Sequence, residues 1–600
     1  MQRQKNILHH LILVLSIYGF WIVMFAIQKP IFMLFNYQDG LSIADFFDVI
    51  LHGLKLDFCF AAYIVAIPLL LIIIHGIVAF NLRKILFIYH IIFSILISVI
   101  FAIDCILFSY WGFRMDATLI FYLKDFKDAT TSITLKDCLN FLLILLPYSL
   151  LLIFSFKVLI FSSAVLFEQS KRKILHTITF VLLLPLCFIC TRGGVSTATA
   201  NIGMVYYSTN QFLNLSAINP AFSLFSSMLK KEDFSKEYQY MKQEKAESLF
   251  KQMYSQSPST TSILNTNTPD VLIILLESFS ANVKETPTLN ALAEEGVAFE
   301  NCYANAMRTD RGIVSTLTGF LAQPTMSIIK YPQKTRSLPS LAKVFYGKGY
   351  KTSMLYGGDI NFANMRSFFV SSLYQDIVSI DAFPLKHRLS KWGVNDETTF
   401  EYLYNDIKNQ DLNQRYFKTF LTLSSHEPFD VNMHRYTSPY VNSVAYTDSC
   451  LGSFIKKVKT LPQWNNLLIV LVADHGFAYP KGTKDFERNK YRIPMIWLGG
   501  AVEETMKVKR FVNQTDIPAT LLAQIGEQSK DFVYSRNVLS DETKDFAFYV
   551  FNNGFCFMDS TGFVTYDCNA NYQIAGQKDE EKIQKGKAIL QMLYRDIEKR

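Results

Sequence analysis

The first third of the chain is patterned unlike the rest. Five apolar runs, Ile7–Gln28, Phe58–Phe80, Ile85–Phe108, Leu139–Phe161 and Ile174–Cys190, follow one another with few charges inside them. A helix needs ~20 apolar residues to cross a bilayer core, and the fifth run sits at the short limit. Five in succession are read as membrane spans and not as buried globular helices. The first is too long for a signal peptide and has four more behind it. Arg192–Met228 is neither strongly apolar nor periodic and reads as a membrane-hugging linker, followed by a charged helical pattern over Lys230–Met253 and a Ser/Thr/Asn-rich hinge over Ser255–Thr268. Ala198-Thr199-Ala200 has the small-residue pattern of a signal-peptidase site, and such residues are equally common in linkers.

From Pro269 the pattern becomes α/β. Short apolar runs at Val271–Leu276, Tyr350–Leu355, Phe417–Leu423 and Leu467–Val472 alternate with helical patterns such as Thr288–Gly296 and Val444–Lys459. The economical fold is a mostly parallel sheet covered by helices. The expected organisation is therefore a transmembrane domain over 1–191, a linker over 192–268 and an extracytoplasmic α/β catalytic domain over 269–600 that ends in a hairpin region around Ser560-Thr561-Gly562.

Charge placement orients the spans. Arg3 and Lys5 precede the first, Arg83-Lys84 join the second and third, and Lys171-Arg172-Lys173 precede the fifth, while Lys29–Asp57 and Ser109–Asp137 mix both signs. The positive-inside rule puts the N-terminus in the cytoplasm, and an odd number of spans puts everything after Cys190 outside a bacterial inner membrane. Lys157 can snorkel to the inner interface in that topology. Asp104, an ionisable residue inside span three, is a functional candidate by default, balanced by its interfacial depth. The segment Trp111–Asp116, aromatic and polar, is expected on the outer face.

Composition adds exclusions. Apolar residues make up 50% of 600, too many for an ordinary soluble chain, and span-flanking Lys and Arg explain part of the modest net charge of +8. No basic stripe interleaved with aromatics occurs, which sets nucleic acid aside. The nine cysteines form no zinc-type double pair. A disulfide among Cys302, Cys450, Cys556 and Cys568 is allowed and not demanded.

The chemistry collects at strand ends, where ligands bind in such sheets. Glu277, Asp359, His426 and Asp474-His475 all fall just past an apolar run. Glu277, Asp474 and His475 offer two carboxylates and an imidazole, with Thr309 as a fourth donor, a set that suits Mn²⁺, Mg²⁺ or Zn²⁺ alike. Thr309 sits in Asn305–Gly312 ahead of an apolar stretch and is placed near a helix N-cap, where an anion is favoured. A lone Thr-Asp is most often a plain cap; its companions argue for an activated nucleophile. His426 can serve as acid and base, and Arg366 can hold a phosphate oxygen.

These residues resemble a known family. Glu277-Ser278, the Pro287–Phe299 pattern, the Thr309 block and Asp474-His475-Gly476 are similar to the alkaline phosphatase/sulfatase superfamily. Five spans ahead of them narrow the resemblance to the lipoteichoic acid synthase and phosphoglycerol transferase family. Arg192-Gly193-Gly194, Ser424-x-His426-x-Pro428-Phe429, Tyr491-Arg492-Ile493-Pro494 and Asp516-Ile517-Pro518 add to it. The resemblance implies that Thr309 is the covalent nucleophile, that Glu277, Thr309, Asp474 and His475 hold one metal, usually manganese, and that His426 and Arg366 contact substrate with Asp359 and Asn364 beside them. It further implies a phospholipid donor such as phosphatidylglycerol and a glycan or polyglycerolphosphate-type acceptor. The family's tryptophan is replaced by Asn364, and Tyr356 stands where a histidine is usual. Rival readings are a phosphoethanolamine transferase, whose soluble domain is typically richer in disulfides, a phosphodiesterase, and, outside enzymes, a catalytically dead membrane sensor.

Overall fold

The computed structural model describes all residues except 1, 112–113, 116–133, 209, 229–233, 235–236 and 256–258. The chain divides into two units, Met1–Glu232 and Asp233–Arg600.

Among the described residues, unit one contains five helices long and apolar enough to cross a membrane: Asn6–Phe35, Ile43–Ile77, Leu82–Ser109, Leu135–Leu159 and Lys173–Arg192. They belong to α1 (Gln2–Phe35), α2 (Ile43–Ile77), α3 (Leu82–Trp111), α4 (Leu135–Leu159) and the pair α5 (Lys173–Val181) and α6 (Leu183–Arg192). The fifth is interrupted at Leu182 because Pro185 has no N–H to return to the preceding turn.

The second helix corrects the sequence reading, since Lys29–Asp57 is not a loop. Helix α2 begins at Ile43 behind a reciprocal Ser42/Asp45 capping box, and Phe46, Val49, Ile50 and Leu54 continue its apolar pattern. Both charges that suggested a connection lie inside helices. Lys29 and Asp57 form an ion pair, 2% and 0% exposed, and Asn219 Nδ2 donates to Asp57 Oδ1 at 3.0 Å. A second buried pair joins Asp104 to Arg114, whose NH1 also donates to the Leu215 carbonyl at 3.0 Å. Arg114 and Met115, expected on an outer face, are therefore interior; Gly112, Phe113 and Asp116 lie outside the described residues. Pairing is what allows four ionisable side chains to sit among apolar helices. The stretch after the spans folds into short helices at Ile202–Val205, Gln211–Ser216 and Pro220–Met228, and Val205, Leu213, Ala217 and Phe222 are buried.

Unit two is built on an eight-stranded sheet in the order β4-β3-β5-β1-β6-β7-β2-β8. The strands are β1 (Asp270–Leu276), β2 (Val297–Tyr303), β3 (Lys351–Tyr356), β4 (Asp376–Val378), β5 (Tyr416–Leu421), β6 (Leu467–Ala473), β7 (Met495–Leu498) and β8 (Met506–Asn513). All pairings are parallel except those of β7 with β6 and β2. Every residue of β1, β5 and β6 is buried, which is why these strands read as unbroken apolar runs. Helices at Pro287–Glu295 and Pro439–Val458 match the helical patterns in the sequence to within a few residues.

A second sheet, antiparallel in the order β12-β11-β10-β9 with β9 at Ala547–Phe551 and β12 at Tyr572–Gly576, precedes a last helix at Glu580–Lys599. The hairpin at Ser560-Thr561 joins β10 (Gly554–Asp559) to β11 (Gly562–Asp567). Its register sets Cys556 opposite Thr565, not opposite Cys568, and all nine cysteines are free thiols.

Candidate active site

Register assembles the site. Leu276 at the end of β1 pairs with Ala473 at the end of β6, so the next residue on each strand, Glu277 and Asp474, emerge side by side. Tyr356 of β3 pairs with Leu421 of β5, and β5 pairs with β1, which brings the loops carrying Asp359 and His426 to the same edge. Parallel strands make this convergence automatic: all their carboxyl ends face one way.

Glu277 is locked by its backbone. Its N–H donates to Thr422 Oγ at 2.9 Å, and its carbonyl accepts from Ser425 Oγ at 2.6 Å. The Ser278 hydroxyl donates to Glu277 Oε1 at 2.8 Å. Asp474 Oδ1 accepts from Ser278 N at 2.9 Å and His475 N at 2.7 Å. His475 Nδ1 lies 2.7 Å from the Gly476 carbonyl; a carbonyl only accepts, so Nδ1 carries the proton and Nε2 presents its lone pair. That nitrogen lies 3.6 Å from Glu277 Oε1 and 3.7 Å from Asp474 Oδ2.

Thr309 is delivered by α7 (Thr309–Thr318), the helix that follows β2. The sequence placed it near the N-cap; it is the first helical residue, and Arg308 holds the cap position at φ 89°. The Thr309 hydroxyl donates to Glu277 Oε2 at 3.0 Å. Gln514 Nε2 ties the helix to the sheet by donating to the Asp474 carbonyl (2.9 Å), the Gly312 carbonyl (3.1 Å) and Thr316 Oγ (3.1 Å).

The donor set fits a divalent cation. One ligand atom each from Glu277, Asp474 and His475 lies within 4.8 Å of the others. Asp474 Oδ2 is buried with no hydrogen-bond partner among the described residues. An orphaned carboxylate oxygen in a native core calls for a ligand. Burial, with the Glu277 charge beside it, pushes the Asp474 carboxyl well above the usual carboxylate range. Two carboxylates sharing a dry site require a counter-charge, and a cation would reverse that shift.

A second group lines the same edge. Asp359 Oδ1 accepts from Asn361 N (3.0 Å) and Nδ2 (2.9 Å), while Asn361 Oδ1 accepts from Arg366 Nε at 2.8 Å. Burial lowers the Arg366 guanidinium, with Asp381 and Asp359 opposing the shift, so an added anion would relieve it. Asn364 is 3% exposed at φ 63° and caps the short helix Met365–Ser371, the most enclosed of the residues expected to meet substrate. His426 is half-buried after β5. Ser278, Arg308, Ala363, Asn364 and Phe429, five of the nine described non-glycine residues at positive φ, border these loops. Strain of ~1–3 kcal/mol per residue persists where surrounding structure over-determines the backbone, as at functional sites.

Several of these residues are silent in the sequence. Ser278 and Gln514 reach Asp474 from chain segments far away, while Asn361 bridges Asp359 and Arg366 within one short stretch; Ser278, adjacent to Glu277, and Asn361, between two named residues, had a local cue.

The fold and the cluster of Glu277, Asp474 and His475 can be set beside known proteins. Residues 269–527 match the sulfatase family profile. The chain is 24% identical over 368 residues to the lipoteichoic acid synthase-like YvgJ of Bacillus subtilis (strain 168), covering 52% of this chain and 58% of that one. It is 25% identical over 271 residues to phosphoglycerol transferase I of Escherichia coli (strain 55989 / EAEC), covering 40% and 34%. The matches thus span under two-thirds of these curated relatives. A crystal structure of an alkaline phosphatase superfamily protein from Vibrio parahaemolyticus shares the fold, with a TM-score of 0.54 and 23% identity over 61% of this chain and 98% of that one.

Proposed function

We propose that this chain is a membrane-anchored phosphoglycerol transferase that moves a glycerophosphoryl group from phosphatidylglycerol to a hydroxyl of a glycan or growing polymer. The observation that carries the reading is the Thr309 hydroxyl donating to Glu277 Oε2 beside Asp474 and His475, in a stretch that matches the sulfatase family profile and is preceded by five span-length helices.

In the first step Thr309 Oγ bonds to phosphorus, and its proton leaves along the hydrogen bond to Glu277 Oε2. The bond from phosphorus to the diacylglycerol oxygen breaks, and His426, protonated at Nε2, supplies the proton that the leaving alcohol takes. In the second step the neutral His426 removes the proton of the acceptor hydroxyl, whose oxygen bonds to phosphorus; the bond from phosphorus to Thr309 Oγ breaks, and that oxygen takes its proton back from Glu277 Oε2. Arg366, anchored through Asn361 to Asp359, holds a phosphate oxygen. A divalent ion on Glu277, Thr309, Asp474 and His475 would lower the hydroxyl pKa and polarise a phosphoryl oxygen, with manganese favoured by the resemblance and magnesium or zinc as alternatives.

The span-flanking charges support a cytoplasmic N-terminus and an outward-facing catalytic unit, next to the outer-leaflet donor. The nine free thiols weigh against the disulfide-rich phosphoethanolamine transferases. Retention of the hydroxyl and the three ligand side chains in one constellation weighs against a dead sensor.

The test is headgroup choice. Full-length protein in vesicles of phosphatidylglycerol should release diacylglycerol and label an added polyol acceptor. Activity confined to phosphatidylethanolamine would replace this reading with its nearest rival, and release of free glycerophosphate only would make the protein a phosphodiesterase.

A further inference from the structure

Trp392 comes from the segment between β4 and β5, remote in sequence from every residue assigned above, yet its indole lies against His426 with ring centroids 4.1 Å apart at 46°. Its Nε1 donates to the Glu427 carbonyl at 2.7 Å. The same carbonyl lies 2.8 Å from His426 Nδ1. One oxygen therefore accepts from both rings. Because a carbonyl cannot donate, His426 must carry its proton on Nδ1, which leaves Nε2 as the nitrogen that exchanges protons with substrate.

The indole is itself held rigidly. Phe362, four residues ahead of Arg366, packs edge-on against it at 5.7 Å. Gly393 pairs with Gly358 in an isolated bridge, and Val394 N donates to the Gly357 carbonyl at 3.0 Å. Gly393 adopts φ +147°, and a Cβ there would stand 2.2 Å from the Gly357 carbonyl oxygen, so only glycine permits so close an approach. The Trp392 segment is thus fastened to the end of β3, the strand that delivers Asp359, while its ring reaches the loop after β5.

We infer that Trp392 is a positioning residue for the transfer reaction: it holds the Glu427 carbonyl that sets the His426 tautomer and packs, tilted, against the imidazole to hold its ring plane. The inference rests on the assignment of His426 to proton transfer. It concerns a residue acting through His426, with no role in holding metal or phosphate. A ring free to turn about its side-chain bonds would spend part of its time with the wrong nitrogen toward substrate. Misplacement of a reacting group by ~1 Å costs up to about 10²-fold in rate.

The experiment is a double-mutant cycle in the full-length protein, reconstituted with phosphatidylglycerol and a polyol acceptor. Trp392→Ala should lower kcat by roughly 10- to 100-fold with little change in KM. Trp392→Phe, which keeps a ring against the imidazole and loses the Nε1 donor, should recover part of the loss. Added to His426→Ala, Trp392→Ala should cost nothing further, because its effect passes through the imidazole. Losses that multiply in the double variant would overturn the inference and make Trp392 a substrate contact or a structural prop. A second readout needs no turnover: diethylpyrocarbonate modification of His426, followed by mass spectrometry of its peptide. The wild-type ring, covered and tied at Nδ1, should react several-fold more slowly than in Trp392→Ala, with Trp392→Phe between them. Equal rates in all three would overturn the inference even if the protein proved inactive on every phospholipid, an outcome that would count against the functional reading alone.

Discussion

Gly312 lies so close to Asp474 that a Cβ placed on it would stand 2.0 Å from the Asp474 carbonyl oxygen. One turn of helix separates Gly312 from Thr309, so this contact sets how far the hydroxyl reaches toward Glu277. Gly312→Ala is expected to push α7 off the end of β6 and reduce turnover by ~10²-fold, the cost of misplacing a reacting group. Gly347→Ala is the control: its helical site has open space around it, and the change should be neutral or stabilise by up to ~1 kcal/mol. Turnover and thermal unfolding of both variants decide the matter. A Gly312→Ala protein with wild-type rate would show that the contact is not what positions Thr309.

Metal content follows from the orphaned Asp474 oxygen. Elemental analysis of the purified full-length protein should find one divalent ion per chain, lost in Asp474→Asn and Glu277→Gln while the rest of the unit stays folded. Retention of a full equivalent by Asp474→Asn would strike that carboxylate from the ligand set.

In the membrane unit, Lys29 and Asp57 should behave as a pair. Removing one partner strands a buried charge, so Asp57→Leu alone is expected to cost ~3–5 kcal/mol, and Lys29→Met with Asp57→Leu to recover most of it. Unfolding in detergent measures both. If the double variant is as unstable as the single one, the pair does more than neutralise itself.

Lys343 supplies a pH prediction away from the site. Burial, with Arg600 nearby, lowers its ammonium to about 8, and its Nζ donates to the Arg336 and Leu338 carbonyls, each at 2.8 Å. A folded value below the unfolded ~10.4 means the folded state binds fewer protons between the two, so this group's contribution to stability rises with pH from about 8 to ~10.4 and is flat below about 8. Wild type should therefore gain on Lys343→Met between pH 8 and ~10. A difference in melting temperature that is flat over that range would contradict the shift.

The central strands were legible because burial on both faces makes them continuous apolar runs, and the strand-end position of Glu277, Asp359, His426 and Asp474 follows from parallel topology. Thr309 was legible from its neighbours in sequence and from the resemblance. What could not be read depends on contacts that sequence separation hides. Helix α2 was missed at its start because Asp45 and Asp48 look like loop residues until Ser42 is seen to cap the helix and Asp57 to pair with Lys29. Gln514 and Trp392 reach the site across 40 and 34 residues from Asp474 and His426, with no local motif to mark them. The separation of Cys556 from Cys568 was legible, because their offsets from the Ser560-Thr561 turn differ and the register about that turn sets Cys556 opposite Thr565.

The central claim is that Thr309 becomes covalently charged with the donor headgroup. The direct measurement is mass spectrometry of the Thr309-containing peptide after the full-length protein meets phosphatidylglycerol, with His426→Ala included to slow discharge. General acid–base help is worth ~10²–10⁴-fold, so that variant should accumulate adduct if discharge is slowed more than formation. The account predicts a glycerophosphoryl mass on Thr309, absent from Thr309→Ala together with lipid cleavage. Full turnover in Thr309→Ala, or a headgroup adduct on any other residue, would contradict it.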